Sequence, residues 1–215
     1  MCAHRTSAYA AGTVQQLPDA ATAPTDGRTL RSLRTREAIV DATIALLEQG
    51  DLRPTAPRVA EQAGVSVRSV FQHFDDLETL HAAVAERLVD RVAVLVLPVD
   101  PDLPLDDRLD RFVHQRTLLL EAVTPIRRAA EVHGPFSAEI TARLRDGQAF
   151  LRAELSHTFA PELAAGGAHQ DDILDGLDAA LSWATWEGLR AGLGRDQERA
   201  RRVVRRLAAA ALRTS

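Results

Sequence analysis

The sequence predicts an all-α fold, on the strength of three observations. Apolar residues recur at intervals of three, four and seven positions in successive segments, which is the spacing of helices. No segment alternates apolar and polar residues as a half-buried strand does. The 12 glycines and 10 prolines fall mostly between the periodic segments, where helices end. We therefore expect about nine helices joined by short turns.

Composition narrows the class of protein. Hydrophobic residues make up 46% of the chain, an ordinary share for a globular protein, and the net charge is −4, so any nucleic-acid binding must come from a local basic patch. Cys2 is the only cysteine, which excludes disulfides and zinc–cysteine sites and fits a reducing cytoplasm. No apolar run approaches the ~20 residues of a membrane span. We expect a soluble cytoplasmic protein with no membrane partner.

Residues 1–29 are rich in Ala, Thr, Ser, Gly and Pro and show no sustained period. This composition predicts a disordered tail. The alternative is an arm that lies in a DNA minor groove with the help of Arg28 and Arg31.

Helical spacing begins at Leu30, and Gly50 ends this first helix. Arg31, Arg34 and Arg36 crowd its first turns, where positive charge opposes the helix dipole. Contact with DNA phosphates would explain them; a solvated helix end is the alternative.

Residues 55–74 predict two short helices joined by a tight turn. Thr55 is suited to cap the first helix, and Gly64 ends it because glycine takes the left-handed conformation without steric cost. Ser66 then caps a second helix of about two turns, with Val70 on its inward face. A DNA-binding helix-turn-helix uses this arrangement to place its second helix in the major groove.

The rest of the chain is helical by the same spacing. Residues 97–104 contain three prolines and cannot continue a helix, so we place a domain boundary there. The predicted domains are the tail 1–29, a helix-turn-helix domain with its connecting helix at 30–96, and a second helical domain at 105–215. The predicted helices of the second domain are 105–124, 125–134, 137–159, 171–192 and 195–213.

A fixed series of short motifs runs through residues 36–80. The motifs are Arg36-Glu37-Ala38-Ile39-Val40-Asp41-Ala42, Gly50, Thr55, Val59-Ala60, Ala63-Gly64-Val65-Ser66, Phe71-Gln72-His73-Phe74 and Leu80. This series resembles the tetracycline-repressor-like (TetR) family of bacterial transcription regulators. The resemblance implies a three-helix DNA-binding domain followed by a helical domain for dimerisation and effector binding. Phe71, Leu77 and Ala56 depart from the tyrosine, lysine and second hydroxyl residue that the family often has there for phosphate contact.

The outward face of the second short helix carries the expected contacts with operator DNA. The guanidinium of Arg68 matches the two major-groove acceptors of guanine, Gln72 can pair with adenine, and Val67 can touch a thymine methyl. The remaining candidates are expected to hold the DNA backbone. They are Arg31, Arg34, Arg36, Thr55, Arg58, Ser66, Ser69 and His73.

A single helix-turn-helix reads too few base pairs for genomic specificity, so we expect a homodimer on a near-palindromic site. Two apolar stripes near the C-terminal end contain small residues that permit close helix approach. Packing inside the monomer is the alternative for both stripes. The interface candidates are Ile173, Leu177, Leu181, Ala184, Gly188, Val204, Leu207 and Ala211.

The resemblance also implies a cavity for a small-molecule effector in the second domain. Arg116 interrupts an apolar face, so it needs either an anionic ligand or an internal Asp or Glu. Core packing explains the aromatic candidates as well as ligand contact does. The pocket candidates are Phe112, His114, Arg116, His133, Phe150, Trp183 and Trp186.

Other function classes lack their motifs. The chain has no phosphate-cradling glycine loop, no Gly-x-Ser-x-Gly and no His-Glu-x-x-His pair, so we expect neither an enzyme nor a resident cofactor or metal. A helical protein-interaction module, or a helical ligand-binding protein that does not bind DNA, is the alternative function.

Overall fold

The computed structural model describes residues 27–213, and these form helices joined by turns, with no β-strand among them. The all-α prediction is confirmed. The chain divides into two units, Met1–Thr35 and Arg36–Ser215. The expected tail lies outside the described residues except for its last three, Gly27, Arg28 and Thr29, which already belong to the first helix.

Ten α-helical segments follow one another in the described chain. They are α1 (Gly27–Glu48), α2 (Ala56–Ala63), α3 (Val67–His73), α4 (Leu77–Ala93), α5 (Leu105–His133), α6 (Ala138–Thr158), α7 (Ala160–Ala165), α8 (Gln170–Ala180), α9 (Trp183–Glu187) and α10 (Gln197–Ala211). Short 3₁₀ turns at Gly134–Phe136 and Gly167–His169 precede α6 and α8, and one turn of π-helix, Gly188–Gly192, follows α9. Within residues 27–213, no helix has the length and apolar character needed to cross a membrane.

The turn between α2 and α3 has the geometry that the sequence predicts. Gly64 has a φ of +67°, and its N–H donates to the Glu61 carbonyl at 3.2 Å. The Val65 N–H donates to the Ala60 carbonyl at 2.9 Å, which satisfies an acceptor at the end of α2. This tight exit fixes the angle at which α3 leaves α2.

The two short helices are capped differently. The Ser69 N–H donates to the Ser66 Oγ at 3.1 Å, so the predicted cap of α3 is present. Thr55 stands at the predicted N-cap position of α2 with extended backbone, but its side chain makes no cap hydrogen bond. Pro57 lies in the first turn of α2, where a missing N–H removes no helical hydrogen bond.

The helix α5 runs unbroken through Pro125, where we expected a new helix to begin. A proline normally breaks a helix because it lacks the N–H and crowds the preceding turn. Packing on both sides of Pro125 holds this helix together: Phe112 and Leu120 lie in one hydrophobic core, and Ala129 lies in another.

The single helix predicted over residues 171–192 is instead interrupted at Ser182. The Ser182 Oγ donates to the Ala179 carbonyl at 2.9 Å and accepts the Thr185 N–H at 3.1 Å. Serine thus ends α8 and caps α9 with one hydroxyl, a local competition with the helix backbone that the apolar spacing does not reveal.

Two hydrophobic cores are built from the residues of the larger unit. The first joins α1 to α4 with the end of α5 and contains Ile39, Val40, Ile44, Leu46, Leu47, Val59, Ala60, Val70, Phe74, Leu80, Ala83, Val84 and Ala129. The second joins α5 to α10 and includes Leu109, Phe112, Leu155, Phe159, Leu177, Trp186, Val204 and Ala208. We call these the N-terminal core and the C-terminal core.

The turn predicts a stability difference between two glycines. A Cβ added at Gly64 meets no atom within 4 Å, so Gly64→Ala tests the left-handed backbone alone. We expect it to lower the free energy of unfolding by about 1–2 kcal/mol in urea denaturation. Gly147→Ala, inside α6 and also in open space, is the matched control and should leave stability equal or about 0.5–1 kcal/mol higher. Equal losses for both variants would contradict the assignment.

Candidate nucleic-acid interface

The helix α3 has a buried face and an exposed face. Val70 and the following Phe74 are only 1% and 2% exposed and anchor α3 in the N-terminal core. Arg68 and Gln72 lie on the opposite, exposed side. The side chains predicted to read bases are therefore presented together on the free surface of a helix whose other side is fixed.

Polar residues at the two ends of α3 are partly committed to the fold. The Ser66 Oγ accepts the Ser69 N–H, which leaves its hydroxyl proton free to donate to a phosphate. Ser69 and His73 are partly buried, whereas Ser66 is exposed. The hydroxyl of Thr55 makes no cap bond and lies on an exposed residue, so it too can face a phosphate.

Two of the arginines predicted to hold the DNA backbone already contact other side chains of the fold. The guanidinium of Arg36 stacks 4.7 Å from the centroid of the Phe74 ring, at the end of α3. Arg58 Nε lies 3.0 Å from Asp51 Oδ2, in a pair whose arginine side chain is 60% exposed. A surface pair of this kind is worth only about 0–1 kcal/mol, so a phosphate can compete with Asp51 for Arg58.

Arg31 and Arg34 belong to the smaller unit and are exposed on α1. The Arg31 Nε donates to the Gly27 carbonyl at 3.0 Å, within the same turn of helix. Their contact with DNA phosphates stays a prediction.

The last turns of α5 contact the helix-turn-helix region. Ala129 is buried in the N-terminal core, and His133 Nε2 lies 3.1 Å from the Leu52 carbonyl, to which it can donate only when it is protonated. The imidazole rings of His133 and His81, on α4, are 5.0 Å apart between centroids. We call this group of contacts the α4–α5 junction.

A second contact extends the junction to α6. The Ser137 Oγ, which caps α6, donates to Glu78 Oε1 on α4 at 2.7 Å. Arg143 on α6 lies 3.6 Å from Glu86, also on α4. The helix that follows the helix-turn-helix is therefore held by both α5 and α6.

A cavity of about 240 Å³ lies beside Pro125, between α5 and the segment that contains α9 and the π-turn. Two ion pairs line it: Arg128 Nε lies 2.7 Å from Glu187 Oε1, and Arg190 Nε lies 2.5 Å from Glu121 Oε1. Isolated π-turns often mark functional sites, and Arg190 lies within this one. The residues around the cavity are Glu121, Thr124, Pro125, Arg128, Trp186, Glu187 and Arg190.

The charges around this cavity are coupled. The pKa of Arg128 is raised first by its hydrogen bonds to Glu187, and the pKa of Arg190 is raised first by its hydrogen bonds to Glu121. Trp186 donates through Nε1 to the same Glu121 oxygen at 3.0 Å. The cavity wall thus contains two arginine–glutamate pairs with no net charge, and a buried tryptophan is bonded to one of them.

Few of the residues predicted to line a ligand pocket meet at this cavity. Trp186 lines it, and Trp183 touches its wall by donating from Nε1 to Thr124 Oγ1 at 3.1 Å. His114 is on the surface beside Arg201, with 2.8 Å between Nδ1 and Nη1, and His133 is at the α4–α5 junction. Phe112 packs edge-on against Phe159 in the C-terminal core, and Phe150 is partly buried on α6.

Arg116 is buried, at 3% exposure, and has no carboxylate within ion-pair distance among the described residues. Its Nη2 donates to the Leu151 carbonyl at 3.1 Å, and its guanidinium lies 4.9 Å from the Phe112 ring centroid. Burial lowers the pKa of Arg116 to about 10, against the opposing charges of Asp178 and Glu154. A backbone carbonyl and an aromatic face thus replace the internal acid that the sequence suggested.

Sequence patterns did not indicate most of the other cavity residues. Glu121 and Arg190 are 69 positions apart, and neither interrupts an apolar stripe. Pro125 inside a helical pattern was the one usable signal, because a proline leaves a carbonyl of the preceding turn without its helical donor.

The residues predicted for a dimer interface fall into two groups. Four are buried in the C-terminal core of their own chain, where α10 packs on both α8 and α5: Ile173, Leu177, Leu181 and Val204. A role for these four in a dimer contact stays a prediction. The remaining four lie at or near the surface, and they are Ala184, Gly188, Leu207 and Ala211.

Comparison with known proteins finds one family. Residues 39–84 match the model described as bacterial regulatory proteins, tetR family. No curated protein matches the chain in sequence.

Solved structures share the fold over most of the chain. A putative TetR-family transcriptional regulator from Mesorhizobium loti is 19% identical, with a TM-score of 0.61, over 85% of this chain and 96% of that one. A transcriptional regulator from Rhodococcus sp. RHA1 is 18% identical, with a TM-score of 0.65, over 84% and 95%. A TetR transcription regulator from Haloarcula marismortui is 21% identical, with a TM-score of 0.60, over 83% and 96%.

The α4–α5 junction predicts a dependence of stability on pH. Burial lowers the pKa of His81 below its ordinary value of 6.5, the charge of His133 lowers it further, and Glu78 opposes both. The native state therefore favours neutral His81, and this contribution to stability is present above pH 6.5 and lost as the pH falls through the lowered native pKa.

We expect the free energy of unfolding of the wild type to fall more steeply between pH 7.5 and 5.5 than that of His81→Gln, as measured by urea denaturation at each pH. His157→Gln, on the exposed face of α6, is the control and should keep the wild-type slope. Parallel curves for the wild type and His81→Gln would refute the prediction.

Proposed function

We propose that the chain is a TetR-family regulator that represses transcription by binding a near-palindromic operator as a homodimer, since residues 39–84 match the family model and solved regulators of this kind share its fold. A small-molecule effector bound in the C-terminal helical domain then releases the DNA. On this proposal the protein is a DNA-binding regulator and not an enzyme. We propose the cytoplasm as its location, where it meets DNA.

The exposed face of α3 is the observation that carries this proposal. Arg68 and Gln72 are exposed on one side, while Val70 and Phe74 hold the other side in the core. An anchored helix that presents a guanidinium and an amide is suited to the base edges of the major groove. The DNA phosphates are then contacted by Ser66, Ser69, His73, Thr55 and the arginines at 31, 34, 36 and 58.

The net charge of the DNA-binding region supports only modest non-specific affinity for DNA. Residues 31–74 contain six arginines and five acids, a balance of only +1. Phosphate contacts set most of the affinity and make it sensitive to salt. The DNA must therefore be held by the few arginines on the α3 side, with Arg58 exchanging Asp51 for a phosphate.

Exposed charges support a dimer through α8 and α10. Asp171, Asp172 and Asp175 are exposed on α8, and Arg199, Arg202 and Arg206 are exposed on α10. In a two-fold arrangement, the arginines of one copy can face the acids of the other. Leu207, which is 45% exposed on α10, supplies apolar contact beside them.

The cavity beside Pro125 is our proposed effector site. The helix α5 leaves this cavity and enters the N-terminal core within the next turn, where Ala129 is buried and His133 meets Leu52. A ligand that displaces Arg128 from Glu187 acts on the segment of α5 that supports the helix-turn-helix. This continuity gives a route from effector to DNA through one helix.

Removal of one side chain tests base reading. Arg68→Ala should weaken binding to an operator selected from random DNA by about 1–3 kcal/mol and relax the choice at one base pair, because a bidentate contact with guanine is lost. Binding is measured by gel shift at physiological salt and at lower salt. Arg145→Ala, an exposed arginine on α6, is the matched control and should bind as the wild type does.

Unchanged operator affinity in Arg68→Ala would show that Arg68 does not contact a base. A wild-type chain that shifts no DNA sequence even at low salt would instead favour a helical interaction module or a ligand-binding protein without DNA.

The two tryptophans offer a test of the effector site. They are the only tryptophans in the chain, Trp186 lines the cavity, and Trp183 touches its wall. Small molecules that release the operator should also change tryptophan fluorescence, and Glu121→Gln should alter both responses because it weakens the bonds to Arg190 and Trp186. Releasing molecules that leave the emission unchanged, at every concentration, would place the effector elsewhere.

A further inference from the structure

The exposed face of α3 also contains a pair of apolar side chains, which have no role in the base contacts proposed for Arg68 and Gln72. Phe71 is 50% exposed and Val67 is 39% exposed, one helical turn apart. Neighbours at i and i+4 on a helix lie about 5–6 Å apart between their Cβ atoms. The two side chains therefore form one small apolar surface.

The fold does not require these side chains to be apolar. Val70 and Phe74 already anchor α3 in the N-terminal core, and both are almost fully buried. Phe71 is half exposed in the free chain, which is unfavourable for an aromatic residue and is relieved only when something covers it. The phenyl ring has no hydroxyl with which to bond a phosphate.

The polar side chains beside this surface indicate what covers it. Arg68 and Gln72 follow Val67 and Phe71 directly in sequence, and all four are exposed. A partner that covers the apolar pair must also offer hydrogen-bonding groups to the guanidinium and the amide beside it. The major groove offers this combination, because thymine places a methyl group among the polar edges of the other bases.

We propose that Phe71 and Val67 together read thymine methyl groups in each operator half-site, with Phe71 as a specificity-determining residue. Bases on one strand are 3.4 Å apart, so a pair of side chains 5–6 Å apart spans methyls one to two base steps apart. The inference rests on the proposed DNA binding and adds the chemical feature that the operator must carry.

Deoxyuridine tests the inference, because it pairs as thymine does but lacks the methyl group. The operator is first selected from random DNA with the wild-type chain, and each thymine of one half-site is then replaced in turn by deoxyuridine. Affinities are measured by fluorescence anisotropy for the wild type and Phe71→Ala. Val94→Ala, which shortens an exposed side chain at the end of α4, is the matched control.

We expect one or two thymine positions at which deoxyuridine weakens wild-type binding about fourfold, as burial of one methyl group implies. At one of these positions, Phe71→Ala should bind the thymine and uracil operators equally, while Val94→Ala keeps the wild-type difference. Circular dichroism melting confirms that each variant is folded.

Two results would overturn the inference alone. One is a wild-type affinity for every deoxyuridine operator that equals the affinity for the thymine operator; the apolar pair would then be assigned to contact with a protein partner. The other is a methyl effect that persists in full in Phe71→Ala. A wild-type chain that enriches no DNA sequence overturns the proposed function, and this inference with it.

Discussion

The structure depends on one helix that belongs to two cores. The upstream part of α5 carries Phe112 and Leu120 into the C-terminal core, and the part after Pro125 carries Ala129 into the N-terminal core. Each core alone fixes only one end of this helix. Because both ends are packed, the helix continues through a proline that would otherwise break it, and the cavity lies beside that proline.

Guanidinium chemistry holds the helices of the C-terminal core around α5. All 26 basic residues of the chain are arginine. Arg108, Arg116 and Arg190 each donate to a backbone carbonyl, those of Thr158, Leu151 and Arg195. Arg108 also pairs with Glu162 at 2.5 Å. A planar group with five donors can bond carbonyls and carboxylates at once, which lets a cation remain inside a helical core.

The sequence predicted best where its signals are local. Gly64 and Ser66 lie two positions apart and define both the turn and the start of α3, and the facing of α3 follows from its apolar spacing. Periodicity identified Leu177 as buried but cannot tell burial in the same chain from burial against a partner. The cavity could not be predicted from local patterns, because Glu121 and Arg190 are far apart in the sequence and come into contact only in the folded chain.

Because α5 packs in both cores, the protein cannot be divided simply into an N-terminal and a C-terminal part. A cut in the proline-containing stretch 97–104 looks natural, yet it removes Ala129, which fills the N-terminal core from a helix that begins after that stretch. Exchange of DNA-binding heads between relatives would therefore succeed only when the incoming head is compatible with the last turns of the resident α5. The unit that recombination must conserve is a head together with a distant piece of helix, so under the proposed function operator choice and effector response would evolve as a pair.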